Sequence, residues 1–160
     1  MAAVTAERST DSRSLHNKTE ETFAITTANT VYVGALVNHV TSTGRVASAT
    51  AAASRRFAGI VEAIVNDSGS VITAGTGNTA GTIKARVSWG HEVLLAVLTA
   101  ARTFANLNKN VYVGDNASVT DTTGAGTAAV RVKVGMITQF GATTSTAWVA
   151  LRVYGEADAT

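Results

Sequence analysis

Apolar and polar side chains alternate in run after run of this chain, and nothing in it forbids those runs from pairing into long sheets. In AVRVKV, Val130, Val132 and Val134 face one way while Arg131 and Lys133 face the other. In WVALRVY, Val149, Leu151 and Val153 oppose Ala150 and Arg152. TFAIT, TVYVG, RRFAGIVEAIV, GTIKARVSWG and EVLLAVL carry the same period of two, or short apolar runs of strand length. Proline, which would delete a ladder donor, is absent from all 160 residues. The runs are separated by TSTG, NDSGS, GTGNTAG, GDN, DTTGAGT and GATTST, which is turn chemistry. Only LTAARTFANLN spaces its apolar residues like a helix, for a turn or two. The expected fold is all-β, a small barrel or sandwich.

The chain also echoes itself. VYVG occurs at 31–34 and again at 111–114; VTSTG is answered by VTDTTG, FAGIVEAI by KVGMITQF, and IKARV by VALRV. This pattern predicts two related halves, with Arg86 and Arg152 in equivalent places. Gly59 and Gly135 fall inside strands, where the missing Cβ permits a bend, a bulge or a close backbone approach.

A composition break sets off the first 22 residues. They hold three basic and four acidic groups, and only Met1, Val4 and Leu15 as sizeable apolar side chains. Ordering a backbone costs about 1–2 kcal/mol per residue, whereas burying Val4 and Leu15 returns only about 1.5–3 kcal/mol each. The expectation is an extended or flexible arm over 1–22 that does not order on its own domain, followed by a β domain over 23–160.

Composition removes several classes of function. Without cysteine there is no disulfide, thiolate metal site or cysteine nucleophile. The net charge of +2 is scattered, with no basic stripe for nucleic acid, and no apolar run is long enough to span a bilayer as a helix. GTGNTA (Gly75, Gly77, Ala80) has glycine spacing of the dinucleotide-binding kind but is followed by the strand TIKARV rather than a helix. His91 and Glu92 begin like a zinc-protease motif, but Leu95 stands where the second histidine is needed. Asp115 and Asp121 flank a turn, and turn aspartates ordinarily bond their own backbone. The reading is therefore no enzyme, no cofactor, no metal, no nucleic-acid partner and no membrane, in a protein made in a reducing cytoplasm.

The succession VYVGALVNHVTSTGRVASATAAASRRFAGIVEAI, IKARVSWGHEVLL, NLNKNVYVGDNASVTDTTG, VKVGMI and AWVALRV resembles bacteriophage capsid cement, or decoration, proteins. Asn108-Lys109-Asn110 departs from the Gly-Lys pair common at that turn. The resemblance implies a virion structural protein, often a homotrimer, that binds major capsid protein on the outer head surface and clamps adjacent subunits. On that reading the arm would contact the capsid through Val4, Arg8, Arg13, Leu15 and Phe23. With 46% hydrophobic and 15% charged residues, more apolar surface is expected than a small monomer hides. Tyr32, Trp89, Tyr112 and Trp148, with Arg86 and Arg152, are the expected subunit contacts. The alternative is a carbohydrate- or receptor-binding module of a virion fibre that uses exposed aromatics and the AGTGNTAG loop.

Overall fold

The computed structural model describes residues 12–13 (backbone only), 18–52, 54–97, 106–120, 132–143 and 145–152. Fourteen strands and no helix lie among them. The five principal strands of the first half are β2 (Thr19–Ala24), β4 (Leu36–Val40), β5 (Arg45–Ser48), β6 (Arg55–Val65) and β9 (Lys84–Trp89). Short β7 (Val71–Ile72) pairs with β6, while β3 (Thr30–Tyr32) and β8 (Ala74–Thr76) form a separate ribbon. The second half comprises β10 (Glu92–Val97), β11 (Asn110–Val113), β12 (Ser118–Thr120), β13 (Lys133–Phe140) and β14 (Thr146–Leu151). The two-residue β1 (Ser12–Arg13) pairs with β10.

The halves are two copies of one small barrel. In the second, the strands run β10, β12, β11, β13, β14 and close by β14 pairing back to β10. In the first, the order β2, β9, β6, β4, β5 is the same ring, closed by the parallel bridge between Ile25 and Val46. Its counterpart in the second is the parallel pair Val97 and Val119.

The correspondence extends to irregularities. Val37 pairs with Gly59 and the register then shifts, as Val111 pairs with Gly135 and the register then shifts. A second shift falls at Val61/Ala63 in β6 and at Ile137/Gln139 in β13. Gly34 and Asn108 each donate an amide to the carbonyl of the residue before that shift, Val61 and Ile137, and both have positive φ, 81° and 62°. A pair of bulges placed identically in two strands twists and curls each sheet in the same way.

The same register corrects the alignment read from the sequence. Strand β11, with the second VYVG, corresponds to β4, while the first VYVG begins in β3 of the side ribbon. Arg86 is equivalent to Trp148, and Arg152 to Gly90, so the two arginines are not twins. Four-letter identity misled because a sheet preserves bend positions and the inward-facing period, not particular letters.

Each interior is filled from equivalent positions. Ile25, Val37, Val46, Val61 and Val87 are buried in the first barrel; Val97, Val111, Val119, Ile137 and Val149 are their counterparts in the second. The outer faces differ. Leu36, Phe57 and Ile60 of the first barrel pack into the second barrel's core cluster, whereas the equivalent Asn110, Lys133 and Met136 are only half-buried. Beyond that apolar layer, the Leu36 amide bonds the Asn116 carbonyl at 2.9 Å, and Gly90 and His91 exchange backbone bonds with Leu151 at 3.1 and 2.9 Å.

This arrangement absorbs the apolar surface that the composition seemed to leave over. Among the described residues Val71 is the one large apolar side chain that stands exposed, because the first barrel's outer wall is covered by its own duplicate. The arm also ends sooner than expected. β2 starts at Thr19 and pairs along its length with β9, and Ser12–Arg13 add to β10 of the same chain. The entropy argument weighed side-chain burial alone; an unfilled strand edge on the chain's own barrel supplies backbone partners that need no apolar side chain.

Candidate functional site

A group of charged and polar side chains lies where the two barrels join. Glu62 occupies the bulge of β6, the position skipped between Val61 and Ala63, within the apolar stretch Phe57–Val65 of that strand. The Ser88 hydroxyl, fully buried, donates to its Oε1 at 2.5 Å. Lys18, just ahead of β2, reaches the same oxygen at 3.2 Å and Glu20 at 3.0 Å. Arg86 lies 3.7 Å from the other oxygen of Glu20. His91, in the connection between the barrels and 1% exposed, holds its Nε2 3.9 Å from Glu62 Oε1.

Burial works against the charged form of Glu62, but the Ser88 hydroxyl and the Lys18 ammonium outweigh it and hold the carboxyl below its usual range. His91 is lowered, first by burial, against the pull of the Trp89 backbone and of Glu62. The Lys18 ammonium loses solvation, yet its two carboxylate partners raise it. The members thus settle as an anionic Glu62 bracketed by a cation and a hydroxyl, beside a neutral imidazole.

This is a latch: Ser88 is fully buried, out of reach of an incoming substrate, and its hydrogen bond to Glu62 ties β9 to β6. The latch fastens the start of β2 to β6 and β9 at the inter-barrel junction. Sequence reasoning set His91 aside with the broken zinc motif and passed over Glu62. Its one signal was a lone carboxylate in the apolar run RRFAGIVEAIV, three residues after the strand glycine.

The other candidates fall as follows. Val4, Arg8 and Leu15 lie outside the described residues, as does the predicted helical stretch up to residue 105; its end, Asn106–Asn108, is a turn. Arg13 has a strand position only. Phe23 belongs to the barrel rather than to an arm: it packs against the first core and meets His39 edge-to-face at 4.5 Å. Tyr32 packs on Ala35 and Ala117, one from each half, and Trp89 packs against the cluster the barrels share, so part of each ring is used inside the molecule. Tyr112 and Trp148 are half-buried, while Arg86 and Arg152 are exposed.

The GTGNTAG segment runs from β8 into a turn and then into β9, with no helix after it. Arg45 pins that turn by donating to the carbonyls of Asn78 and Thr79, both at 2.8 Å. Beside it opens a shallow pocket of about 400 Å³ lined by Asn66, Asp67, Thr82 and Lys84 among others. Asp115 accepts from the Ala117 amide and the Ser118 hydroxyl at 2.7 and 2.8 Å, a turn-closing role; Asp121 lies outside the described residues. No three His, Asp or Glu among the described residues are grouped to hold a metal ion.

No known family model matches the chain, and no curated protein matches it closely enough to count as a relative.

Proposed function

We propose that the protein is a non-enzymatic structural component of a phage virion that binds the outer surface of the capsid, touches major capsid protein and stabilises the shell. The observation that carries this reading is the filled double barrel. Both interiors are occupied by the chain's own valines, isoleucines and leucines, and the charged group at the junction of the barrels ties strands together. Such a body offers walls and strand edges, which are the features a cement protein uses, and the sequence resemblance supplies the partner. The segment ahead of β2, with Val4, Arg8, Arg13 and Leu15, is the proposed capsid contact. Assembly as a trimer would let several weak contacts act together, raising avidity by about 10²–10⁴ over one site.

The test is co-sedimentation with phage heads assembled from the major capsid protein of the same phage. Saturable binding of the full chain, with loss of binding on removing residues 1–17, is expected. A full chain that stays in the supernatant at micromolar concentration refutes the reading. The second reading, a glycan- or receptor-binding module, is favoured by the pocket beside the Arg45-pinned loop, and a glycan array distinguishes it.

A further inference from the structure

The duplication brings together two equivalent strand edges, of which one is filled. β10 and β2 hold the same place in their barrels: Glu92–Ala96 pair with Ala150–Thr146 as Glu20–Ala24 pair with Ser88–Lys84. Both strands close their rings only at the far end, through Val97 with Val119 and Ile25 with Val46. Each ring closure therefore leaves the near end of its strand with one edge turned away from the barrel. On β10 that edge is taken by β1, with Ser12 opposite Val93 and Arg13 opposite Glu92. On β2 the matching residues are Glu21 and Glu20, and no strand among the described residues is paired there.

We infer that the outer edge of β2 at Glu20–Glu21 is a docking site for an extended segment of a partner chain, one that adds antiparallel with an arginine or lysine opposite Glu20. Three observations carry this beyond a bare strand edge. The site has a filled twin in the same molecule, so its geometry is known to accept a strand. The residue facing the incoming cation is a glutamate in both copies, Glu92 and Glu20. The edge is wet and acidic, with Thr19, Glu20, Glu21 and Thr22 all exposed, which suits a basic segment better than an apolar one. Ser12 and Arg13 are engaged on β10, and among the described residues no segment other than β9 pairs with the near end of β2; a basic segment of a partner chain is the proposed occupant. Backbone bonds would give such an added strand its affinity and the facing charges its register. Lys18 and Arg86 already lie against Glu20 at 3.0 and 3.7 Å, so the incoming cation would join or displace them.

The inference does not depend on the capsid reading, because its test uses the purified chain alone. The probe is a synthetic peptide spelling residues 9–16, which contains the Ser12–Arg13 pair seated on the twin edge, titrated into the full-length protein and followed by backbone amide NMR. The expected result is saturable shifts confined to Thr19–Phe23 and their β9 partners, at least tenfold weaker with a peptide carrying Arg13→Glu and with the protein variant Glu20→Lys. Because the altered peptide leaves the protein untouched, a folding defect in the variant cannot mimic the result. Shifts centred on Glu92 and Val93 would mean that the peptide merely displaces the chain's own leader. Absence of any shift at millimolar peptide, or self-association that the free peptide does not compete, would equally overturn the proposal.

Discussion

Placing a single methyl group at Gly135 should separate two strands. A Cβ there would stand 1.9 Å from the Ala150 carbonyl oxygen, where real Cβ atoms keep at least 3.0 Å. β14 must therefore retreat by about 1 Å, which carries neighbouring N–H···O bonds out of their 2.7–3.2 Å range. Buried groups left unpaired cost about 1–3 kcal/mol each, so Gly135→Ala should destabilise the protein by about 2–5 kcal/mol. Its twin, Gly59, makes the argument sharper. A Cβ at 59 would lie 2.3 Å from the Ser88 oxygen, and φ is +145°, which L side chains rarely adopt. Gly59→Ala should thus reach the upper end of the same range, with about 1–3 kcal/mol from the backbone. Gly69→Ala is the control, because φ is +80° but nothing lies within 4 Å; it should cost only about 1–2 kcal/mol. Equilibrium urea unfolding followed by far-UV circular dichroism reads all three as shifts in midpoint. If Gly135→Ala falls within about 0.5 kcal/mol of wild type, the tight approach of β13 to β14 is wrong, and with it the proposed equivalence of the barrels.

Phe57→Ala should cost about 3–5 kcal/mol, because the ring is 1% exposed in the layer between barrels; the equivalent Lys133→Ala should change stability by less than about 0.5 kcal/mol, and the same urea titration separates them. Stability should fall on acidification in two stages. A histidine held below its ordinary 6.5 binds its proton more readily when unfolded, so His91, with His39 lowered likewise by burial, removes stability as pH drops through about 6.5. Glu62, held below its ordinary 4.5, keeps its contribution above that value and loses it as pH falls further, through its folded pKa. His91→Leu should flatten the urea midpoint between pH 7 and pH 5, and an unchanged slope would remove His91 from the account. Arg45→Ala should leave the global midpoint within about 1 kcal/mol, yet speed amide exchange of Gly81, whose N–H bonds Asn78, the residue Arg45 pins.

The strand pattern was legible because a half-buried strand writes its period directly into the chain. Val132 and Val134 are buried around half-buried Lys133, as the alternation requires. Gly59 and Gly135 were likewise readable as places of close backbone approach. What misled was the literal repeat. VYVG at 31 and 111 suggested one alignment, whereas bulges and positive-φ positions fix another, in which Asn108 stands for Gly34 and Thr138 for Glu62. Of the candidate site, Arg86 and His91 were singled out for other reasons, but Lys18, Glu62 and Ser88 were not. They come from three separate strands or their flanks, and no spacing along the chain links them.

Alone, then, the sequence determined that the chain pairs into sheets, where those sheets bend and which side of each strand seeks the dry interior. These depend on each residue and its immediate neighbours, through period, glycine and the absence of proline. Only the tertiary structure decided that one barrel is laid against a copy of itself. Equivalent outward positions became Leu36, Phe57 and Ile60 on the covered wall but Asn110, Lys133 and Met136 on the open one. The same step left one of two matching edges filled by the leader and the other without a strand among the described residues. Such choices rest on which surfaces meet, and that is set by contacts between residues far apart in the chain.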